Sequence, residues 1–342
     1  MMIKNKFIAI ALSAVLAIPA AVTLIPGTGI ETKAEAAIDV TTYGALPDDN
    51  VDDREAINNA IRAANEAGGG TVTMPAGTFD VILEPLYGMG IELQNNVTLS
   101  MDKNTILKVK SENKNRYEII SIKWKENVAV TGGQILGDKK SHKGKLSEDC
   151  FGVRVIDSKK VKIQNMTIKN VVTDGIYLGA SNNSSGCNNV KITNCIINSS
   201  GRNNIAIVDA DNVTIDKCKI YKAQGRQPEC GINIEPNTNG GKPKKSQICK
   251  NITIKNTKVT CVKMGVDNHY FALQIINPYH YDSSLNNAIA NKVTITNCDL
   301  GGDCGNFSGT NVTFNKCKIK GTLYTKKPTK LKKTTYGRKE SY

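Results

Sequence analysis

The fold is decided by a phrase that is clearest at residues 189–197, which read NVKITNCII. The phrase returns at residues 212–220 as NVTIDKCKI, and in shorter form at 293–298 as VTITNC and at 312–317 as VTFNKC. Weaker copies begin at Val97, Val128, Val161 and Ile252. Successive copies begin 19 to 41 residues apart. Repeats of this size indicate stacked units, none of which can bury its apolar face alone.

Each copy has the alternation of a β-strand followed by a corner. Val213 and Ile215 alternate with polar residues, and the apolar phase then shifts by one residue before Cys218 and Ile220. A period of two indicates a strand, and a phase change after three or four residues indicates a corner. A leucine-rich repeat would add a helical segment to every unit, and these copies contain none. The pattern therefore predicts a parallel β-helix.

The cysteines follow this repeat and not a disulfide framework. Four of the ten share one repeat position, so we expect them to point inward as a stack of free thiols together with Met166. These four are Cys195, Cys218, Cys298 and Cys317. Asn194 and Asn297 share the preceding position, which predicts a partial asparagine ladder. The other six cysteines lie outside the stack, and a loop disulfide such as Cys230–Cys249 is left open.

The two ends of the chain differ from the repeats. Residues 1–36 combine a basic start, an apolar run and small residues before a cleavage point, which predicts a secretory signal peptide. We expect residues 37–325 to form one β-helix domain, covered at its N-terminal end by a helix at about 54–67. Residues 326–342 carry six lysines and one arginine against one glutamate, which predicts a flexible basic tail.

The charge of the chain indicates the kind of partner. The formal net charge is +14, and an exported protein of this charge suits an anionic partner. Because of the export signal, we expect an acidic polysaccharide or cell-wall glycan and not nucleic acid. No apolar span follows the signal peptide, so the sequence predicts a secreted protein, extracellular or associated with the cell wall. Oligomeric state is left open.

The segment 39–79 carries a specific phrase. It reads DVTTYGA at 39–45, two aspartates ahead of the expected helix, and GGGTVTMPAGTF at 68–79. This closely resembles the N-terminal cap and first coil of the pectate lyase-like superfamily, which includes polygalacturonases and several phage tailspikes. With the coils that follow, the resemblance covers about 40–325. It implies an all-β, single-stranded, right-handed parallel β-helix and makes a polysaccharide the expected substrate.

A second resemblance bears on the reaction. Residues 173–176, TDGI, resemble the first catalytic phrase of the polygalacturonases, Asn-Thr-Asp-Gly-Ile. Those enzymes carry an Asp-Asp pair one coil later, where this chain has Asn203 and Asn204. Inverting hydrolysis needs one carboxylic acid and one carboxylate, so hydrolysis by that machinery is not expected. Residues 137–142 also resemble the Gly-Asp-Arg-x-x-His phrase of some bacterial β-helix proteins, with Lys139 in place of the arginine.

Aligning five strands on their inward apolar pairs predicts a polar face. The outward residues between these pairs are Arg154, Tyr177, Ala206, Asn233 and Gln274. Asp174 and Arg202 stand in the turns that lead into this face, and Asn204 directly precedes the inward pair of its strand. Glu235 and Asn237 follow the strand of Asn233. Five coils give a face roughly 20–25 Å long, which suits four to five sugar units.

These residues predict chemistry on a uronic-acid polymer. β-Elimination needs a group that neutralises the sugar carboxylate, a base for the C5 proton and an acid for the leaving oxygen. C5-epimerisation would use nearly the same set. The catalytic candidates are Asp174, Tyr177, Arg202, Glu235 and His142, and the substrate-binding candidates are Arg154, Asn204, Asn233, Asn237 and Gln274. Either Arg202 or Arg154 could neutralise the carboxylate, and Tyr177, His142 or a lysine could act as base if its environment lowers its pKa.

Two other functions are left open beside a lyase or C5-epimerase. The protein could be a non-catalytic glycan-binding or cell-surface β-helix, or a glycoside hydrolase with Asp174 and Glu235 as a non-standard carboxylate pair. We expect no cofactor and no metal site, although the same two carboxylates leave calcium open in a lyase. The particular polysaccharide is not predicted.

Overall fold

The computed structural model of the chain describes most of the residues that follow the expected signal peptide. It describes residues 37–110, 114–143, 148–181, 186–236, 238–239, 242–243, 247–261, 270–277 and 289–341. The expected signal peptide and Asn237 therefore lie outside the described residues. Within the described part of the chain, no helix is long and apolar enough to cross a membrane.

The described chain is a right-handed parallel β-helix, as predicted, in which the strands form three stacks. The first stack contains Ile38–Asp39, Gly70–Met74, Val97–Met101, Glu126–Thr131, Lys159–Gln164, Cys187–Thr193, Ala210–Asp216, Ile248–Lys255, Ile289–Thr296, Thr310–Asn315 and Thr329–Lys332. The second contains Gly77–Val81, Thr105–Val109, Gln134–Leu136, Thr167–Lys169, Ile196–Asn198, Lys219–Tyr221, Lys258–Thr260 and Asp299–Gly301. The third contains Met89–Glu92, Arg116–Lys123, Asp149–Ile156, Ile176–Gly179, Ile205–Ile207, Ile232–Ile234, Phe271–Ile275 and Asp303–Asn306.

Two long strands close the second and third stacks together. They are Lys318–Thr325 and Thr335–Ser341, which pair in parallel along almost their whole length. A short antiparallel pair, Thr238–Asn239 with Lys242–Pro243, lies in one of the loop insertions. The repeat therefore predicts the architecture correctly, because the period-two alternation of each copy coincides with a strand of the first stack.

The N-terminal end of the solenoid is covered by a helix, as predicted. A 3-10 turn at Val40–Tyr43 precedes the helix Arg54–Glu66, whose apolar stripe is fully buried against the first coils. On the same side, the buried Asn58 donates from Nδ2 to the carbonyl of Gly90 and accepts the amide of Glu92 at 2.8 Å. One helical side chain thus satisfies backbone groups of a neighbouring strand, which an open edge would leave to water.

The interior of the solenoid contains the predicted thiol stack. Cys195, Cys218, Cys298 and Cys317 are buried on the same line of the coil as Met166, and all ten cysteines of the chain are free. Thr257 occupies the same position in the coil between Cys218 and Cys298, where its hydroxyl accepts the amide of Cys218. The line is therefore a column of small buried side chains and carries no cross-link.

The corner before this column carries the predicted asparagine ladder. Asn194 donates from Nδ2 to Oδ1 of Asn165, and Asn297 donates likewise to Asn256, both at 2.8 Å. All four residues have positive φ. Asparagine tolerates the left-handed region better than most residues, so the corner and the ladder have one cause.

The C-terminal segment differs from the prediction of a flexible tail. Residues Thr329–Lys332 pair with Thr310–Asn315, and Thr335–Ser341 pair with Lys318–Thr325. The segment is poor in apolar residues, which is why its sequence indicates a tail. Parallel pairing needs only the exposed backbone edge of the preceding coil, and lysine-rich edge strands are a common way to end a sheet.

Candidate functional site

The third stack forms the predicted polar face with the predicted register. Arg154 pairs with Tyr177, and Tyr177 pairs in turn with Ala206. The register continues from Ala206 to Asn233 and from there to Gln274. The apolar residues on either side of each position are buried in the core. The five outward residues therefore form one row across neighbouring coils.

Arg202 is the centre of the charged part of this face. Its guanidinium lies 3.4 Å from Asp174, 3.8 Å from Glu235 and 3.8 Å from Glu148, measured between the nearest nitrogen and oxygen atoms. The Asp174 side chain is fully buried, whereas Arg202 is 13% exposed and Glu235 17% exposed. Arg226 holds the other oxygen of Glu148 at 2.9 Å. Three carboxylates from separate parts of the chain thus meet at one cation, which we call the Arg202 cluster.

Burial changes the pKa of both inner carboxyl groups of the Arg202 cluster. It raises the pKa of Asp174 to about 6, although Arg202 and the amide of Asn203, which donates to Asp174 at 2.8 Å, act in the opposite direction. Burial also raises the pKa of Glu235, against the effects of Arg202 and of the Asn233 amide, which donates at 2.6 Å. Carboxyl groups shifted toward neutral pH in this way can exchange protons at physiological pH.

The arginine and tyrosine of the row form an aromatic and cationic patch. The ring centroids of Tyr177 and Phe151 are 4.8 Å apart, and the Arg154 guanidinium lies 4.9 Å from the Phe151 centroid and 5.6 Å from that of Tyr177. Glu118 accepts from Arg154 at 2.6 Å and from Lys123 at 2.7 Å. Arg154 is therefore oriented by one carboxylate and two rings.

Burial raises the pKa of Tyr177, which contradicts its predicted use as a base. The raising effect of burial exceeds the lowering effect of Arg154, and Asp174 and Glu235 raise the pKa further. The half-buried ring lies against Gly179, where the Cβ of any larger residue would come within 2.5 Å of it. A phenol with a raised pKa stays protonated, so Tyr177 can donate a hydrogen bond or a proton but cannot readily remove one.

Asn204 does not belong to the exposed face. Its side chain is fully buried in the corner before the strand, where Nδ2 donates to the carbonyl of Tyr221 and Oδ1 accepts the amide of Ser200. The prediction that Asn204 contacts substrate is therefore wrong. Asn233 is fully buried as well and donates from Nδ2 to Glu235, so its predicted contact with substrate is wrong for the same reason. Gln274 is 8% exposed, and Asn237 falls outside the described residues.

His142 lies in a separate buried cluster. Its Nδ1 is 2.8 Å from Asp138, whose other oxygen accepts the hydroxyl of Tyr117 at 2.6 Å. The His142 side chain is 1% exposed, and within the described residues no hydrogen bond or ion pair joins it to Arg202. Nearby, the Lys139 ammonium donates to the carbonyls of Ser199, Ser200 and Gln224, which makes it a structural clamp on two later corners. In the part of the chain that the structure describes, His142 thus shares no hydrogen bond or ion pair with the other catalytic candidates.

A calcium site does not fit the Arg202 cluster. The space between Asp174 and Glu235, the two carboxylates left open for calcium, is already occupied by a guanidinium. Among the described residues, no group of three or more histidine, cysteine or acidic side chains could hold a metal ion.

The sequence alignment missed several residues of the face. Glu118 and Phe151 precede the inward pairs of their strands, and Glu148 stands before a strand, so the alternation gave no reason to select them. At the other end of the face, Phe271, Phe307 and Tyr324 form an aromatic group with centroid separations of 5.8 to 6.1 Å. Only the strand register could have placed this group on the face, since Tyr324 pairs with Gly305 and Gly305 pairs with Gln274.

Comparisons with known proteins find relatives of this chain but do not assign it to a family. No protein-family model matches the chain. It is 28% identical over 284 residues to the uncharacterized protein YclG of Bacillus subtilis strain 168, covering 77% of this chain and 48% of that protein. It is 27% identical over 328 residues to the plasmin and fibronectin-binding protein A of Streptococcus pneumoniae strain R6, covering 86% and 40%. The chain therefore spans about half, or less, of the length of these relatives.

Solved structures share the architecture at low sequence identity. The iota-carrageenase of family GH82 from A. fortis is similar with a TM-score of 0.61 and 19% identity, over 88% of this chain and 62% of that chain. The A-module of the mannuronan C-5 epimerase AlgE4 from Azotobacter vinelandii is similar with a TM-score of 0.57 and 15% identity, over 88% of each chain. These likenesses support the right-handed parallel β-helix, and membership of the pectate lyase-like superfamily stays a prediction.

Proposed function

We propose that the polar face binds an acidic polysaccharide outside the cell and that the Arg202 cluster acts on one uronic-acid unit as a lyase or C5-epimerase. The observation that carries this proposal is the pairing of a partly exposed cation with a partly exposed carboxyl group of raised pKa. These are Arg202 and Glu235, which lie 3.8 Å apart on the face. Proton abstraction beside a carboxylate needs both kinds of group at one sugar unit.

The residues of the face suit three separate roles in β-elimination. Arg202 neutralises the sugar carboxylate, so the charge that develops on it when the C5 proton leaves is stabilised. Glu235 accepts that proton, since its raised pKa brings it closer to the working pH. The electron pair of the C5–H bond forms the C4–C5 double bond as the bond from C4 to its oxygen breaks. Tyr177, which its raised pKa keeps protonated at neutral pH, supplies a proton to the leaving oxygen.

Epimerisation differs from elimination only in the second half of the reaction. The same proton leaves C5 for Glu235, and Tyr177 then donates a proton to C5 on the opposite side of the ring while the glycosidic bond stays intact. Either reaction leaves Asp174 without direct contact with substrate, because its side chain is fully buried behind Arg202. Asp174 is therefore a positioning residue, which fixes Arg202 through the 3.4 Å ion pair.

The similar solved structures agree with a polysaccharide as the substrate. One is named a mannuronan C-5 epimerase and another an iota-carrageenase, and each likeness covers 88% of this chain. A fold does not fix a reaction, so the assignment rests on the Arg202 cluster.

The test is a panel of uronic-acid polymers incubated with the mature protein. A lyase produces the ultraviolet absorbance of an unsaturated uronate, and an epimerase changes the proton spectrum of the polymer without cleaving it. We expect Glu235→Gln to reduce the rate by about 100-fold or more while folding is kept. Glu55→Gln is the control, since Glu55 is an exposed glutamate of the N-terminal helix that also pairs with an arginine, Arg62, at 3.3 Å. Equal rates for Glu235→Gln and the wild type would exclude Glu235 as the base.

A second candidate function is binding without catalysis. One relative is named as a plasmin and fibronectin-binding protein. In this chain Arg202 already has three carboxylate partners, an arrangement that could serve only to hold the face rigid. Retained binding to a polymer, with neither unsaturated product, new reducing ends nor epimerised units, would favour this function over the lyase or epimerase.

A further inference from the structure

Trp124 occupies a corner of the solenoid in an unusual backbone conformation. It follows the strand Arg116–Lys123 and has a φ of 55°, in the left-handed region. Among the described residues other than glycine, those with positive φ are otherwise Asn, Asp, Lys, Ser or Glu, so Trp124 is the single apolar or aromatic one. A bulky residue is disfavoured there, and such outliers are often kept for function.

The indole of Trp124 is presented to solvent. The residue is 64% exposed, and within the described residues its side chain makes no hydrogen bond or ring contact. Its amide donates to the carbonyl of Ile156 at 2.9 Å, which anchors the backbone of the corner to the next coil. The backbone of this corner is thus fixed, while the exposed ring contributes little to the core.

A concavity of about 700 Å³ lies beside the indole, a size typical of ligand sites. Its lining includes Asn95, Asn96, Trp124, Asp157, Lys159 and Lys160, and none of the outward residues of the polar face lines it. It is therefore distinct from the Arg202 cluster. Amide groups, charged groups and one exposed aromatic ring are the combination that suits a sugar, whose two faces are apolar and whose rim is polar.

The charges of this concavity favour an acidic sugar. Lys160 pairs with Glu126 at 2.8 Å, and Asp157 accepts both the amide and the hydroxyl of Ser181. Within the described residues, the ammonium of the exposed Lys159 makes no hydrogen bond. The lining contains three lysines against the two carboxylates of Glu126 and Asp157, so a cation remains available beside the indole.

We propose that the Trp124 corner is a second carbohydrate-binding site, which stacks one pyranose ring of an acidic oligosaccharide on the indole and holds its carboxylate with Lys159. Binding at this site does not depend on a reaction at the Arg202 cluster. Ser121 pairs with Arg154 of the polar face, and Trp124 stands three residues after Ser121, just beyond the end of the same strand. A polymer bound at Trp124 would therefore lie at the edge of the polar face.

The test uses the fluorescence of the protein, because Trp124 is the single tryptophan of the chain. The probes are hexamers of galacturonate and of mannuronate, with cellohexaose as the neutral comparison. We expect a saturable change of emission and reduced acrylamide quenching with at least one acidic hexamer, and a weaker response with cellohexaose. No response to either acidic hexamer would overturn the proposal, and an equal response to cellohexaose would overturn the role of Lys159.

Variants separate binding from folding. In Trp124→Asn the new residue is one that other left-handed corners of this chain carry, so we expect an unchanged melting temperature and a dissociation constant about tenfold higher by calorimetry. Tyr87→Asn, which removes another exposed aromatic ring, is the control and should bind like the wild type. A lower melting temperature with unchanged binding in Trp124→Asn would show that the indole is structural. Glu235→Gln should keep the emission response, so loss of turnover and loss of this site are distinguishable.

Discussion

The fully buried carboxyl group of Asp174 gives a prediction whose sign follows from its pKa. Burial raises that pKa from 3.8 to about 6 in the folded protein. Between these two values the folded state binds more protons than the unfolded state, so stability falls as pH rises through about 4 to 6. At about 1.4 kcal/mol for each pH unit, the rise corresponds to about 3 kcal/mol of stability lost at neutral pH.

Asp174→Asn should remove that loss. The amide keeps the shape of the protonated carboxyl group and can still accept the amide of Asn203, but it cannot ionise. We therefore expect the variant to match the wild type at pH 4 and to be more stable by up to about 3 kcal/mol at pH 7.5. The measurement is urea unfolding of both proteins at half-unit steps between pH 4 and pH 8.

The variant should keep part of the pH dependence of the wild type. Burial also raises the pKa of Asp53 to about 6 and raises that of Glu235, and both groups are unchanged in Asp174→Asn. The difference between the two proteins isolates Asp174. If Asp174→Asn is less stable than the wild type at pH 7.5, or if the difference does not change with pH, the reasoning is refuted and the ion pair with Arg202 outweighs the burial.

Three further predictions concern the pairing and the packing. Arg202→Met leaves Asp174 without its cation, so we expect about 3 kcal/mol lower stability at pH 7.5 and a smaller loss at pH 4, by urea unfolding; a loss under about 1 kcal/mol at both would show that the ion pair is dispensable. Cys261 is the one cysteine of the ten that is not buried, so it should react first in native thiol labelling, and slowly at neutral pH because burial raises the pKa of its thiol to about 12. Cys261→Ser should abolish this first phase, and an unchanged phase would show that another thiol reacts first. Truncation after Thr325 uncovers Ile319 and Leu323, so the melting temperature should fall by at least about 4 °C, and an unchanged value would show a dispensable tail.

The register of the polar face could be predicted from the sequence because it depends on one rule. Side chains alternate along a strand, so fixing Val153 and Val155 inward also fixes Arg154 outward, and stacking then aligns Arg154 with Tyr177. The four stacked cysteines are placed by the repeat itself, since each occupies the same position after a corner. The alternation rule is applied separately in each coil, so a wrong assignment in one coil does not change the assignment of the next.

The corners could not be predicted in the same way. Asn204 stands one residue before its strand, where the backbone has left the alternation, and its amide turns inward to satisfy Tyr221 and Ser200. Arg202 reads from sequence as an exposed turn residue, but it is 13% exposed, because Asp174, Glu235 and Glu148 surround it from other coils. These contacts depend on loop paths, which hydrophobic periodicity does not specify.

The position of Asp174 is itself an argument for function at the Arg202 cluster. The matching position is Phe151 in the coil before, and Asn203 and Cys230 in the two coils after it, all of them buried. A neutral or apolar residue would satisfy this column, yet the chain has a carboxyl group whose pKa is raised to about 6. Side chains that lower the stability of the folded protein are concentrated at functional sites, where they orient a catalytic or binding residue. Here the oriented partner is Arg202, the cation that faces substrate in the proposed reaction.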